Sequence, residues 1–498
     1  MFKRVVCLIL TALFLTFPAF AADGEEPLTV LEEEHFLDMG SVEKYTEGLG
    51  ITAEQYEQLK TLVYGATRNC ESACDISAFS IKYTATTHQY LNDFVMKGDP
   101  ESFHVAALGG SITTIGGIRY FRTLSFTYQY EGQTYETMKA EMIAVADELL
   151  EGVEGNDALD DVKKALILHD RLAVWCEYDK VNLDAGTVPY DSYNMYGALV
   201  NRICVCEGYT KAYSYLLDRV GIENYYCDSR QLGHIWNIVK IDGEKYHVDV
   251  TWDDPTYDIT GYVQHDYFLC STDKMMNNGH TTSDYDTTPT STLYDDAFWC
   301  SSNTSFVLFG NDIYYIDNVS KTFNLWSGDN KTVKRNLAGR WLGEGNIVFA
   351  LSFSCLTTDG EYVYYSLPRE VVRYDTVSNT TSTLYTYTTD STNRYFYIYG
   401  IKTEENVLTV DVNDYPLFDA TTKENYEFTV DYELPDLPGD VNDDGKINVK
   451  DLQAIKKFMA GNTADISFVF HNADIFVDGK VTVKDCSSLK KLMVGGTV

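Results

Sequence analysis

Beyond its first residues the chain has no apolar run approaching the ~20 residues that a membrane-spanning helix needs. The one marked run, Val5 to Phe17, is too short, and it lies between Lys3-Arg4 and the small-residue cleavage pattern Ala19-Phe20-Ala21. Residues 1–21 therefore read as a secretory signal peptide, and a secreted, extracellular protein that does not span the membrane is expected. Basic residues are scarce: 39 Lys and Arg stand against 74 Asp and Glu, a net charge of −35. So negative a chain excludes nucleic acid and anionic membrane as expected partners. The cysteines lack pattern. Of eleven, Cys7 goes with the leader, and Cys70, Cys74, Cys176, Cys227, Cys270, Cys300, Cys355 and Cys486 show no metal-type clustering, so no zinc site is expected. An exported protein can pair cysteines, but the count establishes no framework and no bridge is assigned. Acidic residues are plentiful, yet no paired acid and nucleophile of a glycoside hydrolase is recognisable.

What is present is concentrated between Val205 and Asp254, where a thiol, an imidazole and a carboxylate follow in order: Cys206, His234 and Asp249. After Cys206 the residues Tyr209, Ala212, Tyr213, Leu216, Leu217 and Val220 fall at helical spacing, and Gly221 follows at the stop position. Cys206 is thus expected in the first turn of a helix, where unpaired N–H groups and the helix dipole favour thiolate and can hold an oxyanion. The β-rich runs flanking Asp242-Gly243 predict a two-residue hairpin. Pairing Ile241 with Glu244 sets Trp236 opposite Asp249 and His234 opposite Thr251, so that His234 and Asp249 become diagonal neighbours on one face. A slip of one residue would separate them. Taken singly, the Cys reads as a small buried hydrophobe and the His as a core histidine; the ordered trio favours nucleophilic catalysis. His169 is an alternative base in principle but reads as a packing residue beside Ala165, Leu166 and Leu168, and Asp253 and Asp254 are rival orienters that, beyond the strand and next to Pro255, read as a turn.

VCEGYTKAY, HIWNIVKIDG and YHVDVTWDDP resemble the three blocks of the transglutaminase-like superfamily, in its bacterial secreted branch. The resemblance continues upstream in NMYGALV and DPESF and downstream in DYFLCSTDKM and His280. It implies a papain-like α+β core with Cys206 as nucleophile, His234 as base and Asp249 as its orienter. The implied chemistry is acyl transfer on amide bonds, with water as acceptor in a cysteine peptidase or amidase and an amine in a cross-linking transglutaminase. A non-catalytic adhesion or recognition module is the alternative class. Cys204 departs from the pattern, and could compete as nucleophile or serve as a redox partner.

With 498 residues, 45% of them hydrophobic, the chain is long enough for about two to four domains. Residues 22–134, with a helix over 53–64 and a strand over 123–130, are expected to pack on a core spanning 135–291, which holds helices over 135–150 and 162–175. From 292 to 433 the sequence is rich in Tyr, Thr, Val and Phe, with short β runs. An all-β antiparallel domain, sandwich or propeller-like, is expected there, since roughly 140 residues give only about three propeller blades. Its tyrosines suit either strand packing or stacking on carbohydrate.

After the linker at 434–439, residues 440–498 carry a repeated pattern. Asp440, Asn442, Asp444, Lys446, Asn448 and Asp451 stand at positions one, three, five, seven, nine and twelve of a calcium loop, with Gly445 at position six. Lys446 would offer its backbone carbonyl. An offset of 34 residues gives Asp474, Asp478, Lys480, Thr482 and Asp485, with Gly479 at the turn, but Phe476 at position three has no oxygen to offer. Asp at position twelve and one helix per loop make the segment resemble a type I dockerin. That implies Ca2+, a cohesin domain of a cellulosome-type scaffold as partner, and contacts through Lys456-Lys457 and Lys490-Lys491. No organic cofactor is expected.

Overall fold

The structure, a computed structural model, describes residues 26–27, 42–254, 256, 260–282, 287–338, 355–387, 397–404, 407–413, 426–431, 439–442, 446–459, 470–473, 475 and 481–493. The expected leader and most of the linker lie outside these residues. The chain divides into two compact units, residues 1–256 with 264–297, and residues 257–263 with 298–498.

The first unit begins with β1 (Glu26–Pro27) and the helices α1 (Val42–Leu49) and α2 (Ala53–Arg68). Helix α2 starts at a capping box in which Thr52 and Gln55 satisfy each other's backbone N–H groups. The short β2 (Ala73–Asp75) and α3 (Ala85–Lys97) lead into a long hairpin, β3 (Val105–Ile115) and β4 (Ile118–Tyr128). Its turn is Gly116-Gly117, at φ of 60° and 82°. The sheet order is β1-β3-β4-β2. Leu59, Val63, Leu91, Phe94, Ile112, Phe121 and Leu124 form one buried core between these helices and the sheet.

Next come α4 (Gly132–Leu149), α5 (Asp161–Trp175), β5 (Glu177–Tyr178), α6 (Lys180–Ala185) and β6 (Ile203–Cys204), which pairs with β5 in parallel. Helix α7 (Cys206–Arg219) follows at once, and Gly221 at φ 76° ends it as its position predicted. A four-stranded antiparallel sheet, ordered β10-β9-β8-β7, holds β7 (Asn224–Ser229), β8 (His234–Ile241), β9 (Glu244–Val248) and β10 (Phe268–Cys270). The one-turn helix α8 (Val250–Asp253) lies between β9 and β10, and α9 (Thr272–Asn277) follows. Helix α7 is clamped on both sides: the Tyr213 hydroxyl donates to the Ala165 carbonyl of α5 at 2.9 Å, and Asn237 of β8 donates to the Thr210 carbonyl at 3.1 Å.

The second unit is a stack of antiparallel sheets. The first holds β11 (Val307–Phe309), β12 (Asp312–Asp317), β13 (Thr322–Ser327) and β14 (Asn330–Asn336). The second holds β15 (Leu356–Thr358), β16 (Val363–Leu367), β17 (Glu370–Asp375) and β18 (Thr380–Thr386). The third holds β19 (Tyr397–Glu404), β20 (Val407–Asn413) and β21 (Tyr426–Asp431). Strand alternation lets the second sheet face two ways: Tyr365, Val372 and Tyr374 pack with Tyr314 and Phe323 of the first, while Tyr364 and Val371 pack with Leu408 and Val410 of the third. These tyrosines are core, not surface. Among the described residues no barrel or propeller closes. A turn also recurs: Asp317 accepts N–H bonds from Val319 and Ser320, as Asp375 does from Val377 and Ser378, with Lys321 and Asn379 both at positive φ.

Beyond it, α10 (Val449–Met459), α11 (Phe470–Ala473) and α12 (Val483–Met493) enclose a small core of Val441, Ile455, Ala473 and Leu489. Helices α10 and α12 begin and end 34 residues apart, matching the repeat offset.

Gly208, in the first turn of α7, yields a test of sign. Gly→Ala inside a helix normally stabilises by about 0.5–1 kcal/mol. Here an added Cβ would lie 2.5 Å from Cys204 Cβ and 2.9 Å from the Ser192 carbonyl oxygen. Gly208→Ala is therefore expected to destabilise, by about 1–3 kcal/mol of overpacking, in urea denaturation; a stabilised variant would refute this packing.

Candidate active site and calcium loops

Val205 caps α7 in an extended conformation and donates its N–H to the Ser192 carbonyl at 2.9 Å, which makes Cys206 the first helical residue. Its side chain is buried in one cluster with Leu183, Tyr226 and Ile235, the residue after His234. The Thr210 hydroxyl lies 2.8 Å from the Cys206 carbonyl oxygen and 3.1 Å from that of Ile235. Helix start and strand start are thereby fastened at one level. Cys204 does not share this setting. Its sulfur lies 3.4 Å from that of Cys176, and burial pushes its thiol well up, so it is a poor nucleophile at neutral pH. All ten described cysteines are unbridged.

The hairpin register is the expected one: Ile241 pairs with Glu244 across Asp242 and Gly243, at φ of 51° and 85°. The continuation differs. Strand β9 ends at Val248, so Thr251 is helical rather than opposite His234, and Asp249 is the N-cap of α8. Its Oδ1 accepts the Trp252 N–H at 3.2 Å and its own N–H donates to the Tyr267 carbonyl at 3.0 Å. The capping demand of α8 thus replaces strand pairing as what aims the carboxylate. Its Oδ2 lies 2.6 Å from His234 Nε2. The same oxygen lies 2.8 Å from His280 Nε2.

Burial alone would raise the Asp249 carboxyl, but the two imidazoles outweigh it and hold the group well below the usual carboxylate range. An ionised Asp249 can only accept, so His234 Nε2 carries the proton and Nδ1 is the acceptor nitrogen. The His234 ring stacks on Trp236, centroids 5.4 Å apart, and Trp236 Nε1 donates to His247 Nδ1 at 2.9 Å. Burial pulls His247 down to about 3, so it serves as a neutral acceptor.

Sequence reasoning missed a second buried group. His169 and Asp253, expected as a packing residue and a turn, both belong to it. His169 Nδ1 meets Asp170 Oδ1 at 2.7 Å and its Nε2 meets Asp253 Oδ2 at 3.2 Å; His265 Nε2 reaches Asp170 at 3.1 Å. Asp253 ends α8 and accepts the Tyr267 N–H at 3.1 Å. Asp254 is also buried and accepts a hydrogen bond from the Tyr209 hydroxyl. Apart from the adjacent His169 and Asp170, these partners lie 14 to 95 residues apart without periodic spacing; the one available signal was the presence of His and Asp in otherwise apolar runs. His234, Asp249 and His280, and likewise His169, Asp170 and His265, bring ligand-type atoms within 4.8 Å of one another. The hydrogen bonds above account for both clusters.

In the calcium loops, Asp440, Asn442, Lys446, Asn448, Asp451, Thr482 and Asp485 are described; Asp444, Asp474, Asp478 and Lys480 lie outside the described residues. Asp451 is buried and closes its loop, accepting the Asn442 N–H at 3.1 Å and the Asn448 N–H at 2.7 Å. Asp485 repeats the second bond with Thr482, also at 2.7 Å. The donor set is hard oxygen, which suits calcium.

The family model described as "Dockerin type I domain" matches residues 438–493. This C-terminal segment is a type I dockerin domain, and such domains bind calcium. No curated protein matches the chain. Among solved structures, one titled "Crystal structure of a TGase" is similar at 16% identity and a TM-score of 0.20, covering 35% of this chain and 49% of its own. The match thus spans about half of that structure's length. Among the described residues no helix is long and apolar enough to cross a membrane.

The His169 cluster gives a pH prediction. Burial would lower His169, but the hydrogen bonds and charges of Asp170 and Asp253 outweigh it and raise the imidazole to about 9. A raised folded-state pKa contributes stability that is fully present below the unfolded value, ~6.5, and is lost as pH rises through about 9. Burial pushes Asp253 up to about 6, so its own contribution is already spent at the lower edge of that window. The thermal midpoint is expected to fall between those two pH values, and the fall to flatten in His169→Asn. An equally steep fall in the variant would assign it elsewhere.

Proposed function

We propose that this chain is an extracellular thiol enzyme that performs acyl transfer on the amide bonds of a protein or peptide, with Cys206, His234 and Asp249 as its catalytic residues and residues 135–291 as its core. The observation that carries the reading is the 2.6 Å contact of Asp249 with His234 Nε2, which fixes the tautomer that leaves Nδ1 as the proton acceptor. Cys206 supplies the sulfur from the first turn of α7, packed against Ile235 beside His234. His234 takes the thiol proton and the thiolate attacks the amide carbonyl carbon. The tetrahedral oxyanion forms beside the N–H groups that open α7. Collapse breaks the C–N bond, His234 returns its proton to the leaving amine, and a thioester remains on Cys206. Water then releases an acid, as in a cysteine peptidase or amidase. An amine acceptor would make the same thioester a cross-linking intermediate. Asp249 stays ionised throughout and stabilises the imidazolium.

The dockerin would hold this enzyme on the cohesin domain of a cellulosome-type scaffold. Asp440, Asn442, Lys446, Asn448 and Asp451 of the first loop would hold calcium, as would Thr482 and Asp485 of the second. When bound, the ion supplies the charge that lets these acidic loops close and the module fold.

Cys206→Ala is expected to abolish thioester formation and all turnover while keeping the wild-type melting temperature. Mass spectrometry of a casein peptide mixture, with and without a primary amine, measures both points: hydrolysis gives new termini, and amine transfer gives an adduct mass. Turnover by the Cys206→Ala chain would end the reading. For the anchor, chelation with EDTA is expected to melt α10 and α12, seen as lost helical ellipticity, and to abolish binding to a cohesin. The second loop should bind calcium more weakly than the first, and Phe476→Asn should narrow that gap in titration calorimetry; two equal sites in the wild-type chain would contradict this.

A further inference from the structure

We propose that His280 is a positioning residue for the reaction above, holding the same Asp249 carboxylate oxygen that His234 contacts. The inference rests on the thiol-enzyme reading. Both imidazoles use the same oxygen, Oδ2, at 2.6 Å and 2.8 Å, while Oδ1 is taken by the Trp252 N–H. A carboxylate with both oxygens engaged from three directions cannot swing away when His234 becomes an imidazolium and then a neutral base again. His280 is suited to this work as a neutral donor. Burial lowers its basicity, and the neighbouring His234, 5.5 Å away between centroids, disfavours a second cation. It therefore donates Nε2–H to Asp249 without competing for the charge that His234 must acquire.

The groups facing this pair come from every element around it. His234 and Trp236 belong to β8 and His247 to β9, while Asp249 caps α8 and Trp252 lies within it. Tyr267 precedes β10. Trp252 lies 4.0 Å, Tyr267 4.8 Å and Trp236 5.3 Å from the His280 ring, so an aromatic box fixes the donor. The backbone is also committed to this delivery. After α9 the chain passes through Gly279 at φ 125°, a conformation that residues with a side chain rarely adopt, and a Cβ there would lie 3.3 Å from the Trp252 ring. His280 then closes the turn by donating its N–H to the Met275 carbonyl at 3.1 Å.

The test is the pH profile of Cys206 alkylation by iodoacetamide in the full chain, followed on the Cys206 peptide by mass spectrometry. Wild-type protein should show an apparent thiol pKa below the ~8.5 of free cysteine. His280→Phe keeps an aromatic ring in the box but has no donor. It should raise that pKa by about one unit, a tenfold slower reaction at acidic pH. His280→Gln, which restores an N–H near the Nε2 position, should recover at least half of the shift. An unchanged profile in His280→Phe overturns the proposal, as does a Gln variant no better than Phe, since the ring alone would then matter. If His280→Phe fails to fold, His280→Asn, whose shorter amide falls short of Asp249, takes its place with the same expectations. A wild-type pKa equal to that of free cysteine overturns the thiol-enzyme reading itself and this inference with it, a failure visible in the wild-type arm alone.

Discussion

The interaction on which the first unit turns is the acceptance of three N–H groups by one buried carboxylate, Asp249. A carboxylate taken out of water is costly unless its lone pairs are met. Here the Trp252 backbone, His234 and His280 meet them. Each donor comes from a different piece of structure, so the cost of burying the charge is offset only when the hairpin, the one-turn helix and the segment after α9 are all in place. The same convergence that makes the ion tolerable fixes its direction, and the direction determines which nitrogen of His234 is basic.

A helix of one turn has no stability of its own. Helix α8 is held at both ends by a single residue of the neighbouring segment, since the Tyr267 carbonyl accepts from Asp249 and the Tyr267 N–H donates to Asp253. Asp253 is gripped in turn by His169 of α5. The two buried charge clusters are therefore the two ends of one short element, and α5 reaches the position of Asp249 through it. The raised pKa of His169 and the lowered pKa of Asp249 express the same arrangement, in which each ionised group is paired inside the protein.

How much of this the sequence disclosed depended on whether the signal was local. The register of β8 and β9 was legible because loop length and side-chain alternation settle it within a dozen residues, and α7 because its apolar spacing and Gly221 agree. The role of Asp249 was half legible. Its neighbours Val248, Val250, Thr251 and Trp252 all favour strand, and the reading carried the strand onward past the point where Asp249 caps a helix. Tertiary contact with Tyr267 overrode local preference there. Asp253, Asp254 and His169 were misjudged for the same reason: polar residues whose partners lie far along the chain look like a turn or like packing. The dockerin was the most legible part, because duplication displays its pattern twice.

That duplication also displays one hydrogen bond of the residue at position twelve twice. In the first loop Asp451 closes the loop by accepting the N–H groups of Asn442 and Asn448, and in the second Asp485 accepts that of Thr482. These bonds run from a carboxylate in the first turn of a helix to backbone groups of the loop before it, so they cap α10 and α12 in the manner of any acidic helix start. They do not involve the side chain at position three. A loop carrying Phe476 can therefore lose an oxygen ligand and still keep the bond that ties it to its helix. The bond between Asp485 and the Thr482 N–H does not depend on which side chain stands at position three.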